Sequence, residues 1–270
     1  VNLIFSSLLM LMLLAPLTGR GETPEYVFGV LNQQSPQATA ERWLPMLRYV
    51  GEKAGVKLRL RMGPTVQDTD ELMGQGVFDF MFTNHNFQPQ YDALGYRVIA
   101  RWAGKPIRCS IVVAQDSPVT RLEGLHGKRV AYPNPDAFVA YAVPKEMLRM
   151  ARVTEVEVLA GNQDAALNMV RFRKADAAAV NSRFLAEYQE KTGYRFRVIE
   201  ESEDYPELAV IVHPRVSAAV RERVRDALVG MNQDPAAAAL LIQVGSPGFV
   251  AASDADYAAV RRVYRRLQKP

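Results

Sequence analysis

Four polar clusters stand where apolar stretches of the chain end, and their side chains suit the holding of a small polar molecule better than the breaking of a bond. Gln33 and Gln34 follow Tyr26 to Leu31, and Thr83, Asn84 and His85 follow Val77 to Phe82. Asn134 and Asp136 follow Arg129 to Tyr132, and Asn181 and Arg183 follow Ala175 to Val180. Amides, a hydroxyl, an imidazole, a carboxylate and a guanidinium together supply donors, acceptors and both signs of charge. Tyr205, in the polar stretch from Glu200 to Pro206, adds a ring that can cap a bound molecule or pack at a hinge.

A catalytic constellation is missing from the sequence pattern. His85, His126 and His213 are far apart, no H-E-x-x-H pair occurs, and Cys109, the single cysteine, has no partner at metal-ligand spacing. Gly245-Ser246-Pro247-Gly248 lacks the glycine spacing of a nucleophile elbow. The expected chemistry is capture, with no catalysis, no metal and no cofactor.

Such clusters need a scaffold that gathers strand ends. Ser35 and Pro36 read as the cap and first residue of a helix whose apolar positions run from Ala40 to Ala54, with Gly55 as its stop. Strand, helix, strand, helix, strand then follows through Lys57 to Met62, Val66 to Gln75 and Val77 to Phe82. Right-handed crossovers make this a mostly parallel sheet flanked by helices. In open α/β sheets, ligands gather beyond the carboxyl ends of strands, where the polar clusters lie. The alternation is interrupted at Gly104-Lys105-Pro106 and resumes from Arg129, and an extended segment from Leu208 to His213 returns the chain. The reading is a two-lobed α/β fold joined by two hinge strands: lobe 1 over residues 25–106 and 210–270, lobe 2 over 107–209.

Leu3 to Leu17 is almost wholly apolar and of signal-peptide length, so residues 1–22 are expected to be removed on export. One cysteine permits no intrachain disulfide, and none ends the apolar run where a lipid would attach, which points to the periplasm. A net charge of +4 over 270 residues, with Arg and Lys scattered, argues against nucleic acid. The densest basic stretch, Arg261, Arg262, Arg265, Arg266 and Lys269, is expected on the solvated face of a terminal helix. A monomer is the expected state.

Val27-Phe28-Gly29-Val30-Leu31 with Gln34-Ser35-Pro36, Trp43-Leu44-Pro45 and Gly76-Val77-Phe78-Asp79-Phe80 occur in that order. Leu122-Glu123-Gly124-Leu125-His126-Gly127-Lys128-Arg129-Val130-Ala131-Tyr132 and Ala175-Asp176-Ala177-Ala178-Ala179-Val180-Asn181 follow. The set resembles the phosphate/phosphite/phosphonate-binding proteins of ABC transporters, a branch of the type 2 periplasmic-binding-protein fold. The resemblance implies a small-molecule ligand held between the lobes and an ABC permease in the inner membrane as partner. A sensor histidine kinase as partner, or a degenerate lobe pair that serves no transport, are the alternatives.

One segment departs from the pattern. Family members that bind phosphonates carry Ser and Thr where this chain reads Pro133-Asn134-Pro135-Asp136-Ala137-Phe138-Val139. Asp136 is expected either to cap the helix that starts there, occupying the N–H donors an oxyanion would use, or to meet a neutral or cationic group of the ligand.

Overall fold

The computed structural model describes residues 23–31 and 35–268. The expected signal segment 1–22, together with Gln33 and Gln34, lies outside the described residues.

The alternation of the first half builds as its pattern predicts. Strand β1 (Glu25–Val30) leads into α1 (Pro36–Ala54), where the Ser35 hydroxyl accepts from the Ala38 N–H at 3.3 Å and Gly55 ends the helix at φ 66°. Next come β2 (Lys57–Arg61), α2 (Val66–Gly74), β3 (Phe80–Thr83), the short α3 (Pro89–Asp92) and β4 (Arg97–Trp102). Strand β3 starts later than Val77 because Asp79 turns inward: its carboxylate accepts from the Val27 N–H at 2.7 Å and pairs with Arg215 at 2.6 Å.

The second half repeats the plan with β5 (Cys109–Ala114), β6 (Arg129–Tyr132), a π-helical turn (Phe138–Ala142) running into α4 (Val143–Met150), and β7 (Val156–Leu159). Helix α5 (Gln163–Arg171), β8 (Ala177–Asn181), α6 (Ser182–Thr192) and β9 (Phe196–Glu201) complete it. The chain then returns through β10 (Ala209–Val212) to α7 (Ala218–Gly230), α8 (Ala238–Val244), β11 (Phe249–Ala251) and α9 (Ala258–Leu267). The sequence pattern suggested helices alone for this last part; β11 is an added edge strand, antiparallel to β4.

Two sheets result, in the orders β11-β4-β10-β3-β1-β2 and β7-β6-β8-β5-β9. Both are mixed. The β1, β2, β3 and the β6, β7, β8 sets are parallel, whereas the strands entering and leaving each lobe, β10 and β5, run against their neighbours. Parallel strands are buried on both faces, which is why β3 and β8 are nearly continuous apolar runs.

Two connecting segments, 103–108 and 202–208, join the sheets, and they pair with each other. Ile107 and Tyr205 exchange both backbone hydrogen bonds at 2.8 Å, so the connection where a hinge is expected is a short antiparallel ribbon. Glu207 lies so close that a Cβ on Gly104 would sit 2.8 Å from its Oε1, which explains the glycine there. Cys109, just past the hinge, is fully buried, and that burial pushes its thiol pKa far above the ordinary value.

One apolar core is shared between the lobes: Met81 and Phe87 of the first pack in it with Phe138 and Val139 of the second and with Tyr257, Val260 and Val263 at the chain's end. The terminal basic stripe is correspondingly not a merely solvated face. Arg261 pairs with Asp92 and Asp254, Arg262 with Glu203, and Arg266 with Glu146, each at 2.7–2.8 Å.

Candidate functional site

A cleft of about 780 Å³ opens between the sheets, a volume in the range of about 300–1,000 Å³ typical of small-molecule sites. Lobe 1 contributes Leu31, Val66, Asn84, His85 and Trp102; lobe 2 contributes the segment Pro133, Asn134, Asp136–Ala140, together with Asn162, Gln163, Asp164, Asn181, Arg183 and Phe184. Ile107, Glu207 and Leu208 form the hinge wall. Three helical N-termini of lobe 2, at the π-helical turn, α5 and α6, therefore converge here, each following the carboxyl end of a strand.

The amides on these termini are oriented alike. Asn134 Oδ1 accepts from the Asp136 N–H at 3.1 Å, Asn162 Oδ1 from Ala165 at 2.8 Å, Asn181 Oδ1 from Arg183 at 2.9 Å, and Gln163 Oε1 from Asn181 at 2.7 Å. Each oxygen is thus spent on backbone, which leaves four NH₂ groups without partners among the described residues. Trp102 Nε1 is a further buried donor with none.

The expected cap does not form. Asn134 draws the Asp136 N–H into a local turn, and the Asp136 carbonyl accepts from Asn84 Nδ2 of lobe 1 at 3.0 Å. The N-cap position consequently falls on Ala137, whose side chain has nothing to offer. The N–H groups of Phe138, Val139, Ala140 and Tyr141 make no hydrogen bond among the described residues, so this helix end is left uncapped.

Not every polar residue of the strand-end clusters reaches the cleft. Thr83 is wholly buried, and its hydroxyl donates to Asn86 Oδ1 at 2.6 Å, holding the turn that presents Asn84. Tyr205 is 3% exposed and packs edge-on against Phe138, with ring centroids 4.9 Å apart. His85 lines the cleft but is bound to the hinge: Nε2 donates to the Pro206 carbonyl at 2.7 Å and the ring stacks on Phe138. Burial lowers its pKa to about 4, so the ring is neutral at pH 7, with Nδ1 an unpartnered acceptor. Arg183, the only cation among the described lining residues, pairs with Glu207, which is buried on the hinge.

The family model described as "ABC transporter, phosphonate, periplasmic substrate-binding protein" matches residues 28–257. The chain belongs to this phosphonate-binding family. A curated member, the phosphonates-binding periplasmic protein of Escherichia coli (strain K12), is 23% identical over 97% of this chain and 82% of its own length. Among solved structures, XAC2383 from Xanthomonas citri, bound to chloride ion, aligns with a TM-score of 0.76 at 17% identity, covering 90% of this chain and 97% of its own. PhnD1 from Prochlorococcus marinus, in complex with methylphosphonate, aligns with a TM-score of 0.70 at 14% identity, covering 91% and 99%. At these identities the structural likeness speaks for the fold, which is that of the periplasmic binding proteins. Family members are periplasmic solute-binding components that work with a membrane permease. Among the described residues no helix is long and apolar enough to cross a membrane.

For a phosphonate-binding protein the cleft is unusual in its donors. No Ser, Thr or Tyr lines it among the described residues, and its side-chain donors are chiefly amides. Asn162, Gln163, Asp164, Trp102 and Glu207 were missed from sequence. The first three follow β7 and obey the same strand-end rule that singled out Asn134 and Asn181; Glu207 gave no sign, because an acidic residue is expected at the surface.

One carboxylate outside the cleft lining feels the charge of Asp136. Asp70 of α2 accepts from Asn86 Nδ2 at 2.8 Å, and its pKa is raised to about 6, first by burial and then by the charge of Asp136. Because the folded-state pKa lies above the unfolded value, the native state binds the proton more tightly, and stability is lost as pH rises from about 4 through about 6. Asp70→Asn, which keeps the acceptor, is expected to stabilise the protein by about 1–2 kcal/mol at pH 7.5 and by much less at pH 4.5. Urea unfolding of both proteins at the two pH values measures this, and an equal difference at both would refute it.

Proposed function

We propose that the protein captures a phosphonate-type oxyanion carrying an amino group in the interlobe cleft and delivers it to an ABC permease, without catalysing a reaction. The observation that carries this reading is the uncapped helix end at Phe138, in a cleft also lined by Asn134, Asn162, Gln163 and Asn181, whose amide NH₂ groups are unpartnered among the described residues. A cluster of donors with no acceptor spent on it suits a group that offers only acceptors, as phosphonate oxygens do. Asp136 and Asp164 supply the opposite preference, and with Arg183 engaged by Glu207 nothing in the described lining offsets them. His85 Nδ1, an acceptor, suits an N–H donor on the same ligand.

In this reading residues 25–106 with 210–270 move as one body against 107–209 about the ribbon at Ile107 and Tyr205. The Asn84 to Asp136 hydrogen bond then belongs to the closed arrangement. The protein acts as a monomer in the periplasm, after loss of its apolar leader.

Titration calorimetry with matched ligands tests the proposal. 2-Aminoethylphosphonate is expected to bind at least about tenfold more tightly than ethylphosphonate, since a charge-assisted hydrogen bond contributes about 1.5–3 kcal/mol. Both should bind better than 1,3-diaminopropane. Tighter binding of ethylphosphonate would remove the amino-group part of the proposal, and binding of the diamine alone would overturn the oxyanion part.

A further inference from the structure

The last helix, α9, is rooted in lobe 1 but grips lobe 2. At its start Tyr257 is buried and donates its hydroxyl to the Glu207 carbonyl, and Arg261 holds Asp92 and Asp254 at 2.8 Å. One turn further on, Arg266 Nη1 donates to Glu146 Oε1 of α4 at 2.7 Å, and the Tyr264 ring packs on Phe138, with centroids 5.5 Å apart. Glu146 is almost completely buried whereas Arg266 is about half exposed, so the ion pair sits at the edge of the interface, with its carboxylate inside it. Phe138 lines the cleft as the first residue of the uncapped helical run, and its ring contacts both Tyr264 and His85.

We propose that α9 is an interlobe strap that positions the Phe138 helix end, so that affinity depends on Arg266, Glu146 and Tyr264, none of which lines the cleft. These are positioning residues: they act through Phe138, and the proposal rests on the oxyanion reading of that helix end. The two hinge segments alone would leave lobe 2 free to rotate about a short ribbon; a third connection, formed by side chains and therefore breakable, limits that rotation. The contact belongs to the arrangement in which Asn84 meets Asp136. Weakening it shifts the population toward open forms and raises the apparent dissociation constant by the fraction of competent protein lost.

The test compares wild type with Arg266→Glu, Arg266→Lys and the charge swap Arg266→Glu/Glu146→Arg. Two readouts are taken: the dissociation constant for 2-aminoethylphosphonate, and the radius of gyration by solution scattering without added ligand. Arg266→Glu is expected to weaken binding by at least about fivefold, mainly through faster dissociation, and to enlarge the particle. Arg266→Lys is expected to stay within about twofold of wild type, and the swap to recover most of both changes. Should Arg266→Glu not fold, Arg266→Met gives the same comparison with a milder change. Unchanged affinity and radius in the reversal variant, or a swap that recovers neither, would overturn the strap. If wild type binds none of the phosphonates, the oxyanion reading fails, while the radius still decides on the strap.

Discussion

Ala137→Asp is expected to make the protein more stable and a poorer binder at once. Ala137 occupies the N-cap of the π-helical turn in extended conformation, φ −76° and ψ 117°, with no side-chain hydrogen bond to the unpartnered N–H groups. An aspartate there accepts from one or two of them, which adds about 0.5–1 kcal/mol to stability. The same oxygen atoms occupy the donors proposed for the ligand and bring a negative charge to within about 5 Å of it. At an effective dielectric constant near 20 that repulsion is about 3 kcal/mol, so a loss of at least about tenfold in 2-aminoethylphosphonate affinity is expected after screening. Ala137→Asn should stabilise similarly and cost less affinity, since it blocks donors without adding charge. Chemical unfolding and calorimetry on the three proteins decide the matter; undiminished binding by the aspartate variant would place the oxyanion elsewhere.

The second large effect is expected at Arg183. Its guanidinium is the partner of Glu207, which is 4% exposed, and it also reaches the Lys105 carbonyl at 3.5 Å on the other hinge segment. Removing one member of a buried pair leaves the other desolvated and uncompensated, which costs about 3–5 kcal/mol when both are buried. Arg183 is about half exposed, so Arg183→Ala is expected to cost about 2–3 kcal/mol. Affinity should fall too, because an uncompensated carboxylate then faces the ligand from the hinge wall. Glu207→Gln in the same background removes the stranded charge and should restore part of both losses. If the double variant is no more stable than Arg183→Ala, the cost lies in lost packing and not in the buried charge.

The sequence carried the fold well because its signals are local and agree with one another. Caps such as Ser35, stops such as Gly55 and two-sided apolar strands such as Ala177 to Val180 each name an element, and alternation supplies the topology. The strands that run against their neighbours, β5 and β10, were legible only as extended segments, since direction depends on which sheet receives them. Part of the cleft lining was legible at strand ends, which gave Asn84, His85, Asn134, Asp136, Asn181 and Arg183. Thr83 and Tyr205 read as equally polar, but a local contact with Asn86 takes the first inward and a long-range one with Phe138 the second. Asp136 failed as a cap because a local turn at Asn134 takes its N–H and a contact from the other lobe, Asn84, takes its carbonyl one residue before the helix. No window of sequence around position 136 contains that partner, 52 residues away.

Cys109 bears on how the proposed lobe movement can be watched. Its thiol is the only one in the 270 residues, and it is sealed in β5 with its ionised form strongly disfavoured. Reagents that attack thiolates should therefore pass it by while the protein is folded. A cysteine introduced on the outer surface of each lobe would be the sole reactive pair, so paired spin or fluorescent labels can report interlobe distance with the native cysteine left in place.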